Sequence, residues 1–170
     1  MPAPTRKPTA TPTRQLATFL AKYDPAVAAF ARAALRRLRR RLPGAMELVY
    51  DNYNALAIGF GPSEKASAVI VSIAVYPRWV TLFFLHGAHL PDPKRLLRGE
   101  GSRVRHIRLV TPDQIASPDV ERLLTAALAA AKEPIDASKK RRLVIKAVLA
   151  KQRPRRAGPG RAPAASKPRR

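Results

Sequence analysis

MELVYDNYNALAIGFGPSEKASAVIVSIAVYPRWVTLFFLHGAHLPDPKRLLRGEGSRVRHIRLV, residues 46–110, decides the fold, and it contains the only Trp and all three His of the chain. Here the hydrophobic period shortens from 3.6 to 2, the change that marks a passage from helix to sheet. Met46, Leu48 and Tyr50 alternate with Glu47, Val49 and Asp51. Asp51-Asn52-Tyr53-Asn54 then supplies turn chemistry before Leu56, Ile58 and Phe60, which predicts a hairpin. After a turn at 61–65, Val69, Val71, Ile73 and Val75 alternate along a third strand, and Pro77-Arg78 is a tight reversal. A fourth strand, Trp79 to Leu85, is apolar on both faces, which predicts a central position covered on each side. Asp92-Pro93 resembles a helix start and Gly99 a helix stop, so a short helix carrying Leu96 and Leu97 is expected between them. Val104 to Val110 is a fifth strand, with Ile107 and Leu109 on one face and His106 and Arg108 on the other.

Outward from this stretch the pattern is helical. Thr13 is the expected cap of a first helix with Leu16, Phe19, Leu20 and Tyr23 on one face. Asp24 and Pro25 open a second, with a stripe of Val27, Phe30, Ala31, Ala34, Leu35, Leu38 and Leu42, ended by Pro43-Gly44. Its remaining surface carries Arg32, Arg36, Arg37, Arg39, Arg40 and Arg41, which reads as a solvated face. Ser117-Pro118 starts a last helix along Val120, Leu123, Leu124, Ala127, Leu128 and Ala131. Residues 141–151 fit strand or helix, and Val and Ile favour a strand. The expected class is α+β: an antiparallel sheet of five or six strands with N-terminal and C-terminal helices packed on one face. One domain spans 13–152, between a leader at 1–12 and a basic tail at 153–170, both expected to be disordered.

The formal charge is +22, and its location matters more than its total. Residues 137–170 carry thirteen basic residues and no acid, whereas 24–136 carry sixteen against eleven, a net of +5. This predicts ends attracted to polyanions around a nearly balanced domain. With no Cys, disulfides and thiolate metal sites are excluded, and a reducing cytoplasm fits. No apolar run suggests a membrane span, and the first residues lack the apolar core of a secretory signal.

Candidate sites follow from side-chain chemistry. Tyr50, Asp51, Asn52, Tyr53, Asn54, Tyr76 and Trp79 could wall a small-ligand pocket or peptide groove, or serve as turn and core residues. Arg103, Arg105 and His106 would pair an anionic group if the fold brings them to that set. His86, His89 and His106 could offer imidazoles to a metal, with Asp92 or Asp51 as carboxylate, although a loop H-x-x-H is a weak signal. Nucleic-acid candidates are Lys139, Lys140, Arg141, Arg142, Lys151, Arg153, Arg155, Arg156, Arg161, Lys167, Arg169 and Arg170. No serine stands in a nucleophile elbow, and Gly59-x-Gly61 and Gly99-x-Gly101 do not extend to a phosphate-binding fingerprint. The chain reads as a non-enzymatic module for an unknown small ligand or protein, with a nucleic-acid accessory role through the basic tail as the alternative.

Several strings together resemble the YdhG-like domain family, a bacterial domain of unknown function. They are Tyr50-Asp51-Asn52-Tyr53-Asn54-Ala55, Gly59-Phe60-Gly61, Ile73-Ala74-Val75-Tyr76-Pro77-Arg78-Trp79-Val80, Phe83-Phe84-Leu85, Leu90-Pro91-Asp92-Pro93 and Arg105-His106-Ile107-Arg108-Leu109. The resemblance implies a frataxin-like α/β sandwich and, since some members are described as iron chaperones, chaperone-like iron handling. Iron sites of that kind use acidic ridges, because a hard cation needs several oxygen ligands. The first two helices here offer Asp24 against at least six Arg, so an acidic iron ridge is not expected.

Overall fold

The computed structural model describes residues 9–156, so the expected disorder of 1–8 and 157–170 lies outside the described residues. α1 (Pro12–Ala21) and α2 (Pro25–Arg41) precede β1 (Met46–Asp51), β2 (Leu56–Gly61), β3 (Val71–Val75), β4 (Val80–Phe84) and β5 (Arg105–Arg108), and α3 (Pro118–Ala130) leads to β6 (Arg142–Val148). Thr11 caps α1 through its hydroxyl, with Pro12 in the first turn, so the helix begins before the expected Thr13. Pro43-Gly44 turns α2 into β1. Gly44 has φ +80, and a Cβ there would stand 1.9 Å from the Asp136 carbonyl oxygen, so only glycine fits this approach.

The sheet runs β5-β4-β3-β2-β1-β6. Its first five strands form the expected antiparallel meander. β6 departs from it by pairing parallel to β1, so the sheet is mixed. The cause is the route of the chain: from β5 at one edge it must cross about five strand spacings, roughly 24 Å, to reach the far edge beyond β1. α3, with 13 residues, spans about 20 Å of that. A strand laid down after such a crossover enters parallel to β1. Residues 142–148 are therefore strand, the favoured alternative for that segment.

One face carries the core. Val49, Ile58, Ile73, Leu82 and Ile107 share a register row and pack with Leu16, Leu20, Leu35, Leu38, Val120 and Leu124 of the three helices. Each such side chain contributes on the order of 2 kcal/mol on burial. The other face is less covered. Val69, expected in line with Val71, instead folds over Gly59 on that face, because a 3-10 turn at Ala66–Ala68 breaks the alternation. Phe83 there is half-buried beside His106, so β4 is covered fully on the helix face alone.

The expected helix at 92–99 is absent. Asp92 receives the Leu96 and Leu97 N–H groups on its carboxylate, and Arg95 adopts φ 54, which closes a turn and prevents helical propagation. The chain then makes a short bridge, Arg98 with His106, outside β5. No helix among the described residues is long and apolar enough to cross a membrane.

Candidate ligand-binding site

Two hairpin loops meet at one end of the sheet. Asn52 N–H closes the first on the Ala55 carbonyl, and Tyr76 N–H closes the second on the Trp79 carbonyl. The ends of α1 and β5 lie at the same end, together with the segment after β6. That segment is folded back as far as Arg156, beyond the boundary expected at 152, since Arg153 N–H reaches the Tyr53 carbonyl.

Asp51 anchors this end. Its side chain is enclosed, Lys22 Nζ reaches Oδ2 at 2.8 Å, and Arg155 Nη2 reaches Oδ1 at 2.8 Å. Burial alone would raise its pKa, but hydrogen bonds from Lys22, Gln152 and Arg155 outweigh this and hold the carboxyl below its usual value. Arg155 also donates to the Asn52 and Tyr53 carbonyls and is 5 % exposed. It is thus a buried structural cation, contrary to its place among the nucleic-acid candidates. Asp51 is likewise occupied, so it offers no carboxylate to a ligand or metal. Tyr23 lies beneath, its hydroxyl donating to Val75 O at 2.8 Å and accepting from Leu56 N at 3.1 Å. Burial pushes its pKa up to about 12, against the opposing pull of Arg155. A second enclosed acid, Glu47, ties the far end of β1 to Arg39 and Arg141.

Above this anchor the surface is open. A groove of ≈ 640 Å³ runs between Asn54, Tyr76, Pro77, Arg78 and Trp79 on one side and Arg153, Pro154 and Arg156 on the other. Tyr76 stacks on Trp79 at 5.2 Å, and Arg108 lies 4.5 Å from the Trp79 ring centre. Beyond Trp79 a second hollow of ≈ 470 Å³ is lined by Val27, Phe30, Val80, Leu109 and Val110 with Arg78 and Arg108. Among the described residues no carboxylate lines either space. Such a site can grip a flat apolar group by its walls and an anion by its guanidinium groups.

The fold brings Asn54, Tyr76 and Trp79 together as expected, with Tyr53 beside them under Arg153 at 5.5 Å. Tyr50 lies on the less covered face, and its hydroxyl is enclosed without a hydrogen-bond partner among the described residues. Arg103, Arg105 and His106 do not join the set. Arg105 pairs with Phe84 and Arg108 with Thr81, so the three lie toward the opposite end of β5. Arg103 contacts His86 at 3.4 Å, Arg105 donates to the Gly101 and Val104 carbonyls, and His106 tilts against Phe83. The arginine that reaches Trp79 is Arg108, which sequence reasoning passed over although strand alternation had put it on the correct face. Arg78 was read only as a turn residue. His86 and His89 are exposed in the far loop, and among the described residues no group of three or more His, Cys, Asp and Glu is placed to hold a metal ion. Lys139, Lys140, Arg141 and Arg142 precede or open β6, whereas Lys151, Arg153 and Arg156 follow it. The basic candidates therefore fall at opposite ends of the sheet, and Arg161, Lys167, Arg169 and Arg170 lie outside the described residues. No family model, curated protein or solved structure matches the chain.

Proposed function

We propose that the protein is a non-enzymatic binding module that takes a small anionic ligand with a flat apolar part in the groove beside Trp79. The observation that carries this reading is the lining itself: Tyr76, Trp79 and two prolines interleaved with Arg78, Arg153 and Arg156, without a carboxylate among the described residues. A cation row of this kind repels metal ions and attracts carboxylate, sulfonate or phosphate groups. Membership of the YdhG-like family with a frataxin-like sandwich belongs to this reading and rests on the strings at 50–55, 73–80 and 105–109. A cytoplasmic setting fits the absence of cysteine. Iron handling finds no matching donor set among the described residues. A second reading, association with nucleic acid, is favoured by Lys139, Lys140 and Lys151, which are exposed and form no ion pair among the described residues.

Because Trp79 is the only tryptophan, its emission reports directly on the groove. Titration with 1-anilinonaphthalene-8-sulfonate, an apolar ring system bearing one anion, should quench it saturably. Arg78→Ala or Arg153→Ala should weaken that binding about ten-fold, the worth of one charge-assisted contact. Equal binding by both variants, with melting curves unchanged, would remove the groove from the account. Native mass spectrometry of protein purified without added ligand would then identify what it carries.

A further inference from the structure

We infer that the outer edge of β6 is a docking site for an acidic, extended peptide segment, which adds to the sheet as a further strand. Among the described residues β6 has β1 on one side and no strand on the other. Alternate residues of an edge strand point N–H and C=O outward, which leaves an unpaired ladder. The opposite edge differs, because Arg98 and His106 exchange two backbone hydrogen bonds outside β5, at 2.8 and 2.9 Å. β6 also has the composition of an inner strand. Leu143, Val144 and Ile145 are only half-buried, while Val148 and Leu149 are 51 % and 46 % exposed.

Charge selects the occupant. Lys139 and Lys140 precede β6, Lys146 lies within it and Lys151 follows, all exposed and without an ion pair among the described residues. Arg142 reaches Glu64 only at 3.5 Å, and no acid occurs after Asp136. Edge against edge, a second copy would set these cations against their like, a repulsive pairing. The register irregularity opposite Val49 and Tyr50, beside Lys146, is a further guard against indiscriminate addition. A strand that carries Glu or Asp turns the same lysines from guards into contacts, while its backbone satisfies the ladder. This surface shares no lining residue with the Trp79 groove, and Lys146, the residue altered in its test, lies within β6 and outside the groove.

The test uses the full chain and a labelled peptide, Val-Glu-Val-Glu-Val-Glu-Val, followed by anisotropy near physiological salt. A second peptide carries N-methyl groups on two adjacent central residues, which blocks both of its edges at unchanged charge. The first should bind and the second should bind at least ten-fold more weakly, and Lys146→Glu should weaken the first without lowering the melting midpoint. Equal affinity for both peptides would mean charge attraction alone and overturn the proposal, as would absence of binding. A dimer of the chain that the peptide cannot dissociate would assign the edge to a second copy instead.

Discussion

Asp51 receives cations from both ends of the chain, Lys22 from α1 and Arg155 from the segment after β6. They are not equivalent. The Lys22 side chain is 39 % exposed and is screened by water, whereas that of Arg155 is 3 % exposed and depends on the carboxylate for its charge balance. Asp51→Asn should therefore cost about 3–5 kcal/mol at neutral pH, read from the urea midpoint. Because the folded carboxyl titrates below its usual value of 3.8, the unfolded chain binds a proton first as pH falls. The stabilisation is complete well above that value and disappears once pH drops below the folded pKa, so wild type and Asp51→Asn should converge in strong acid. Tyr23 works at the other extreme. Its folded pKa, about 12, exceeds the unfolded value of 10.0, so stability holds below pH 10 and falls between 10 and 12, by about 2–3 kcal/mol in all. Absorbance titration should show a late-ionising component that Tyr23→Phe removes. Tyr23→Phe strands the Leu56 N–H and Val75 carbonyl and should cost about 2–4 kcal/mol at pH 7. None of this was visible in spacing. An Asp before Asn at a strand end reads as a turn, and its partners lie 29 and 104 positions away.

At the scale of elements, what a local period encodes was legible and what a distant pairing imposes was not. The stripes of α1, α2 and α3 needed only i, i+3, i+4 spacing, and their residues are the helix half of the core. The β1–β2 and β3–β4 hairpins followed from turn chemistry, whereas β5 joins the meander only after the long connection 85–104. The direction of β6 needed knowledge of where α3 carries the chain, which no residue within 142–148 specifies. The segment 92–99 failed for a different reason. Asp92 competes for the N–H groups that a helix would use, so the residue that signals a helix start also explains its absence. The groove was half legible: Tyr76 and Trp79 come from one hairpin, but Arg108 reaches the Trp79 ring only through sheet register, and Arg153 the groove only through the return of the chain.

For the whole molecule, two truncations separate the Arg155 contact with Asp51 from the four distal cations. Removal of residues 157–170 takes away Arg161, Lys167, Arg169 and Arg170 and no described contact. Removal of 153–170 also takes Arg155 from Asp51 and strips Arg153, Pro154 and Arg156 from the groove. Thermal unfolding should hardly change in the first and should drop by roughly 10 °C in the second, since about 3–5 kcal/mol shifts the midpoint about 2–4 °C per kcal/mol at this size. Binding to duplex DNA near physiological salt should respond to both, and already to the first, which leaves the fold unchanged. If the four distal cations meet phosphates, the first truncation should already reduce the slope of log K against log salt by about 3 to 4, with no sequence preference. Should the shorter deletion leave DNA affinity untouched, those cations play no part in nucleic-acid binding. Should the longer deletion leave the midpoint unmoved, Arg155 is not the latch that closes β6 and the return segment onto β1. Trp79 emission distinguishes the last possibility: with the latch intact it responds to the sulfonate probe in the 1–156 chain, and without the 153–156 wall the response should be lost even where the protein remains folded.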